Sequence, residues 1–345
     1  MKKSKSFLII LLVFVLLLCC AAGGAYLYLK SCLEPFDTSG TEYQLDIPSG
    51  TGTRTVAGKL EENGMIKSAD VFYYYVRFKK CTIKAGKYRV NSAMSTDEIL
   101  SLLESGVQEH TSVSIPEGYT LKQIGTLMEE AGVTSRDAFI KACSDQTLLD
   151  EYAIPASSFE GYLFPDTYFL DYGMTAERVV RILADTFYEK ITTIPDMSDL
   201  TPDELFYAVR LASIVEKEYR VAEEAPLIAS VFTNRLNTIE RGHSWGLYSC
   251  ATVVYIITDI MDLPHPAKVT RADTQIDNPY NTYKYEGLPP GAISNPGLTA
   301  LDAAVHPAKT KYTYFTLVDA EKGSHAFTSS NEAHIELKYE YTVKN

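Results

Sequence analysis

Near the middle of the chain two glutamates flank a lysine at the end of an apolar stretch, Leu211-Ala212-Ser213-Ile214-Val215-Glu216-Lys217-Glu218-Tyr219. On a helix, Glu218 continues the stripe made by Leu211, Ile214 and Val215. Glu216 continues Val209, Ala212 and Ser213, a less apolar stripe. A carboxyl on an apolar face is desolvated, keeps its proton to higher pH and can act as a general acid. Periodicity leaves a second reading open, in which both acids are solvated at a helix end and pair with Lys217 or Arg220.

A second cluster runs from Tyr280 to Gly297, YNTYKYEGLPPGAISNPG. Its Pro and Gly turns are rigid, its Asn and Thr groups can hydrogen-bond, and its Tyr rings can stack on a sugar. Asn281, Thr282 and Asn295 are the candidate substrate-positioning groups. A plain Pro-rich connection is the competing reading, although loops of this length without regular structure more often carry function. The chain has no G-x-S-x-G elbow, no phosphate-binding P-loop and no H-E-x-x-H pair. Its six histidines are far apart in sequence. Neither a metal nor a cofactor is expected.

The elements that must position these groups follow from local signals. Thr201-Pro202-Asp203-Glu204 is a strong helix start, and that helix should run to about Tyr219. A second helix is expected over Ala222–Arg241. A strand at Tyr312–Val318, a partner at His325–Phe327 and a helix at Asn331–Tyr341 close the chain. Helices are also expected at Thr120–Ala131, Ser135–Cys143 and Thr175–Ile191, with a strand at Thr111–Pro116. Earlier lies a small β-α-(α)-β-α unit: a strand at Tyr43–Pro48, a turn at Ser49–Gly52, a helix at Val56–Asn63, aromatic Val71–Phe78, a strand at Lys84–Val90 and a helix at Thr96–Glu104.

The N-terminus is the clearest physical signal. Lys2, Lys3 and Lys5 precede an uncharged run from Phe7 to Leu29. As a helix at ~1.5 Å per residue that run spans about 34 Å, enough to cross a ~30 Å hydrocarbon core. The basic cluster predicts a cytoplasmic N-terminus, Tyr26 and Tyr28 suit the interface, and Lys30 can snorkel. A cleaved signal peptide is the alternative, but the run exceeds a ~7–15-residue h-region. Lipidation at Cys19 or Cys20 is a weaker option. Residues 30–345 are expected outside the cytoplasm.

Forty-four acidic and 32 basic side chains give a net charge of −12. Tracking phosphates needs clustered Lys and Arg, so a nucleic-acid binder is not expected. Six scattered cysteines make no disulfide scaffold.

Several ordered stretches resemble the MltG-type (YceG-like) endolytic murein transglycosylases. They are the N-terminal anchor, Lys84-Ala85-Gly86-Lys87-Tyr88, Leu103-Glu104-Ser105-Gly106, Glu160 to Tyr168, Ala212 to Glu218, Ile228 to Leu236, Tyr280 to Tyr283 and Gly287 to Gly291. The resemblance implies an α+β chain with a cytoplasmic tail at 1–6, a single transmembrane helix at 7–29 and a linker at 30–42. A small LysM-like glycan-binding α/β module at 43–106 and a larger α+β catalytic domain at 107–345 would follow. It also implies that the second Glu of E-K-E, Glu218, is the catalytic acid. The implied reaction cleaves MurNAc–GlcNAc bonds in nascent peptidoglycan strands, leaves 1,6-anhydro-MurNAc ends and so ends glycan polymerisation. Partners implied are glycan strands, the membrane and peptidoglycan synthases. Expected substrate-binding residues are Glu216, Ser249, Thr252, Tyr280, Asn281, Thr282, Tyr283 and Asn295.

One stretch departs from the family. Leu247-Tyr248-Ser249-Cys250-Ala251-Thr252-Val253-Val254-Tyr255 stands where the family has Leu-Gln-Ser-Asp-Pro-Thr-Val-x-Tyr. Cys250 lacks the acceptor oxygens of an Asp. The only Trp of the chain, Trp245, precedes it and could stack on a sugar. The altered stretch keeps two other functions open: a non-catalytic peptidoglycan-binding scaffold, or a hydrolytic muramidase with the same acid and a bound water.

Overall fold

The computed structural model describes the backbone of residues 2–48, 50–106, 110–240 and 243–343. Ser49 of the expected turn, the expected helix end at Arg241 and the expected domain start at residue 107 lie outside these residues. So do the side chains before Val13 and those of residues 240–244. The chain divides into two compact units, Met1–Thr111 with Asp171–Gly173, and Ser112–Leu170 with Met174–Asn345.

The first unit begins with helix α1, Lys2–Leu33, longer than the expected 7–29. Its segment Val13–Leu33 is long and apolar enough to cross a membrane, and its side chains up to Ser31 are exposed. Beyond it, β1 (Glu42–Ile47) is followed by α2 (Thr53–Glu62), α3 (Ala69–Lys79), β2 (Gly86–Asn91) and α4 (Thr96–Ser105). β1 and β2 pair antiparallel, with Glu42 opposite Asn91 and Ile47 opposite Gly86. Alternation sends Leu45 and Ile47 inward, where they meet Val56, Leu60, Phe72, Tyr88, Ile99 and Leu103. Ser95 caps α4 through a reciprocal box with Glu98.

The second unit is larger. It runs through the greater part of β3 (His110–Ser114), α5 (Leu121–Glu130), α6 (Arg136–Ala142), α7 (Gln146–Glu151), all but the last residue of β4 (Thr167–Asp171), and α8 (Ala176–Ile191). Then come α9 (Pro202–Glu218), α10 (Ala225–Asn237), the short ribbon of β5 (Ile239–Glu240) and β6 (His243–Ser244), and α11 (Cys250–Tyr255), which continues into a π-helical turn at Ile256–Ile260. Helix α12 (Leu298–Val305), the hairpin of β7 (Tyr314–Asp319) and β8 (Ser324–Thr328), and α13 (Asn331–Val343) complete it. The whole is a mixed α/β chain with an N-terminal apolar helix.

Two expectations change. The helix expected over Ala222–Arg241 is shorter, because Ala222–Glu224 forms a 3-10 turn, Pro226 sits in the first turn of α10, and β-branched Thr238 and Ile239 leave the helix for β5. The stretch after it contains α11 and α12, for which no helix was expected. Ser249 starts α11 by accepting from Ala251 N.

Helix α9 is the axis of this unit. Thr201 caps it in a reciprocal box with Glu204, and Pro202 occupies its first turn. From Leu211 to Val215 every residue is buried. A helix buried all round has protein on every side. Here the neighbours are α10, α11, α12 and the Ala292–Asn295 segment. Ser213 Oγ accepts from Ile293 N, and Ser294 Oγ donates to Ser213 O. The helix stops at Glu218, where Tyr219 turns to extended backbone.

Candidate active site

Because α9 ends inside the unit, Glu216, Lys217 and Glu218 leave it in three directions. Glu216 Oε2 accepts from Gly297 N at 3.0 Å and from Tyr219 OH at 3.3 Å. Burial, with the Glu117 carboxylate nearby adding to it, pushes its carboxyl up to about 7. Lys217 Nζ donates to Gly118 O. Glu218 alone of the three lines a cavity of about 390 Å³.

That cavity is walled by α10, the Leu247–Cys250 segment, Tyr283, β7 and α13. Ser249 Oγ donates to Glu218 Oε1 at 2.5 Å. Burial raises the Glu218 pKa, and the Ser249 hydroxyl, His325 and Arg235 pull it partly back. The carboxyl keeps a window onto the cavity, since the residue is half-buried by surface area. Its place at the negative end of α9 works in the same direction as burial. Among the described residues it is the only carboxylate lining this cavity.

Around it the cavity carries groups that sequence reasoning did not single out. Arg235 of α10 is buried and donates Nε to Thr313 O at 2.7 Å and Nη1 to Leu247 O. Its guanidinium lies over the rings of Tyr248 and Tyr314, at 5.8 and 5.5 Å from their centroids. His325, paired through Nδ1 with Glu224 Oε2 at 2.8 Å, supports the same region. An arginine inside an otherwise apolar helix was the available signal. Tyr248 adopts a left-handed backbone, φ +52°, which for a bulky residue is strained and found where surrounding structure enforces it.

With this geometry in view, comparison with known proteins is decisive. A model of the YceG-like family matches residues 45–340. The chain belongs to the YceG-like family. A relative from Bacillus subtilis strain 168, named endolytic murein transglycosylase, is 32% identical over 336 residues, covering 92% of this chain and 90% of that protein. One of the same name from Streptococcus pneumoniae serotype 2 is 32% identical over 344 residues, and the match spans 90% of this chain but 60% of that longer protein. A crystal structure of a yceG-like protein from Listeria monocytogenes is 30% identical, covers 87% of this chain and 100% of that one, and superposes with a TM-score of 0.58.

The remaining expected site residues of this YceG-like chain fall into two groups. Tyr283 lines the Glu218 cavity, and its hydroxyl lies 3.1 Å from the exposed Cys250 thiol. Thr282 Oγ1 accepts from Ser249 N at 3.1 Å and lies 2.9 Å from Thr252 Oγ1, so both threonines hold the serine that holds Glu218. Asn281, Asn295 and Tyr280 lie elsewhere. Asn281 is fully buried and donates to Thr274 O and Ile276 O. Asn295, also fully buried, accepts from Gly161 N and Leu163 N and donates to Tyr119 O and Glu160 Oε1. Tyr280 stacks at a tilt on Tyr255. These three hold backbone or core in place. Trp245 lies beside Tyr314, with ring centroids 6.1 Å apart. Among the described residues no three of His, Cys, Asp and Glu gather to hold a metal ion.

Proposed function

We propose that this chain is a membrane-anchored endolytic lytic transglycosylase acting on peptidoglycan, with Glu218 as its catalytic carboxyl. The observation that carries the reading is a single desolvated carboxyl, hydrogen-bonded by Ser249, in a cavity with no second acid among the described residues. A glycosidase that uses water employs two carboxyls, ~5–5.5 Å or ~6.5–9.5 Å apart. One carboxyl suffices when the nucleophile belongs to the substrate.

Protonated Glu218 gives its proton to the glycosidic oxygen as the C1–O bond of MurNAc breaks. The MurNAc 6-hydroxyl then attacks C1, and its proton returns to the Glu218 carboxylate. The products are a free GlcNAc hydroxyl and a 1,6-anhydro-MurNAc end, with no water consumed. Burial keeps the acid loaded before the first transfer, and the Ser249 hydroxyl supports the carboxylate between the two.

The anchor, the basic tail before it and the relatives' printed names support a single-pass topology with the N-terminus cytoplasmic and residues 30–345 outside. On this reading residues 43–106 serve as a LysM-like glycan-binding module and 107–345 as the catalytic domain. The enzyme would cut nascent strands beside the synthases that extend them. Digestion of purified glycan strands with the protein, followed by product masses, tests the reading. Anhydro ends support it. Products heavier by one water would make the protein a muramidase, and intact strands a binding scaffold.

A further inference from the structure

The wall of the cavity around Glu218 is cationic in a chain whose net charge is −12. Arg235 is 8% exposed, yet among the described residues it makes no ion pair, and only two of its N–H groups have partners, both of them backbone carbonyls. Among the described residues the one acid beside it in this cavity is Glu218, which on the transglycosylase reading carries its proton before cleavage, and a buried cation without a charged partner is costly. His334 of α13 stacks on Tyr314 at 4.9 Å, and its Nδ1 lies 2.9 Å from Thr316 Oγ1, so Nε2 is the ring nitrogen left for a ligand. Lys338, one helical turn further along α13, is exposed and lines the same cavity. Burial, then the charges of Lys338 and Arg235, hold His334 below its usual pKa, as expected where cations gather.

We propose that Arg235, His334 and Lys338 form a subsite for a carboxylate of the peptide branch borne by the MurNAc being cleaved. This rests on the transglycosylase reading. The glycan backbone is neutral, so its peptide carboxylates are the anions the substrate brings close to the scissile bond. A phosphodiester on the MurNAc 6-oxygen would remove the attacking hydroxyl, which excludes that anion at this site. A guanidinium fork matches the planar, two-oxygen geometry of a carboxylate.

The test uses the full chain in detergent and uncrosslinked glycan strands in two forms, one with free peptide carboxylates and one with those carboxylates converted to amides. The carboxylate form is expected to give anhydro ends with kcat/KM about tenfold higher, mostly through KM, as one charge-assisted contact provides. Lys338→Gln and His334→Gln should each cut that ratio several-fold. Equal kcat/KM on both forms, or a ratio unchanged in both variants, overturns the subsite and leaves the transglycosylase reading standing. Binding to the Glu218→Gln protein needs no turnover and reads the subsite separately. A roughly tenfold weaker Kd for the amide strands supports it, and equal Kd values overturn it, even if no strand is ever cleaved.

Discussion

The hydroxyl of Ser249 donates to Glu218 Oε1 at 2.5 Å while the same oxygen accepts from Ala251 N at 3.2 Å, so one side chain ties the carboxyl of α9 to the first turn of α11. Ser249→Ala removes the donor that favours the charged carboxylate. The Glu218 pKa then rises further, the carboxyl gives up its proton to the glycosidic oxygen less readily, and kcat should fall about tenfold. The alkaline limb of the pH–rate profile should move upward. A kcat and profile like those of the parent protein would separate Ser249 from the chemistry.

Glu218→Gln should leave no measurable anhydro product. It also has a stability signature. A carboxyl whose folded-state pKa is raised contributes stability that is fully present below its unfolded pKa and lost as pH rises through the folded one. The variant should therefore unfold at a higher temperature than the parent at alkaline pH and show no such advantage under acid conditions. Thermal unfolding across that range checks the sign.

Glu216 follows the same linkage at lower cost to function. Its carboxyl is raised to about 7 from an ordinary 4.5, so the parent protein should lose stability as pH rises between those values. Glu216→Gln keeps an acceptor for Gly297 N and should flatten that loss, on the order of 1–2 kcal/mol, while cleavage continues. Abolished cleavage would mean that Glu216 acts in the cavity despite facing away from it.

Asn295 predicts a structural phenotype. Asn295→Ala strands Gly161 N, Leu163 N and Glu160 without their partner and should cost about 3 kcal/mol of stability, with KM little changed in the folded fraction. Gly161→Ala should be comparably damaging. Its φ of +92° suits glycine, and an added Cβ would stand 2.5 Å from Val209 Cγ1 and 2.7 Å from Ala292 Cβ. Chemical denaturation of both variants measures the losses.

Much of this fold is written in short-range signals. The Thr201-Pro202-Asp203-Glu204 start of α9 and the inward alternation of Leu45 and Ile47 are local, and both can be read directly. Apolar neighbours at helical spacing favour Glu218 over Glu216 only slightly, and it is the family resemblance that singles Glu218 out. Spacing did not reveal the rest of the cavity, since its residues are joined across long stretches of chain. Arg235 meets Thr313 O from 78 positions away, and Ser249 meets Glu218 Oε1 from 31 away. The burial of Asn281 and Asn295 was likewise not legible, because a buried amide that satisfies backbone and an exposed one that satisfies a ligand have the same letters. Only burial distinguishes them.

Helix α9 ends with three charged side chains in three different surroundings, one against Gly297 N, one against Gly118 O and one in the cavity. Each residue added to or removed from a helix turns everything beyond it by about 100°. A single-residue insertion within α9 would thus deliver the lysine, rather than Glu218, to the cavity. This one element acts as a ruler whose count fixes which side chain faces the cavity.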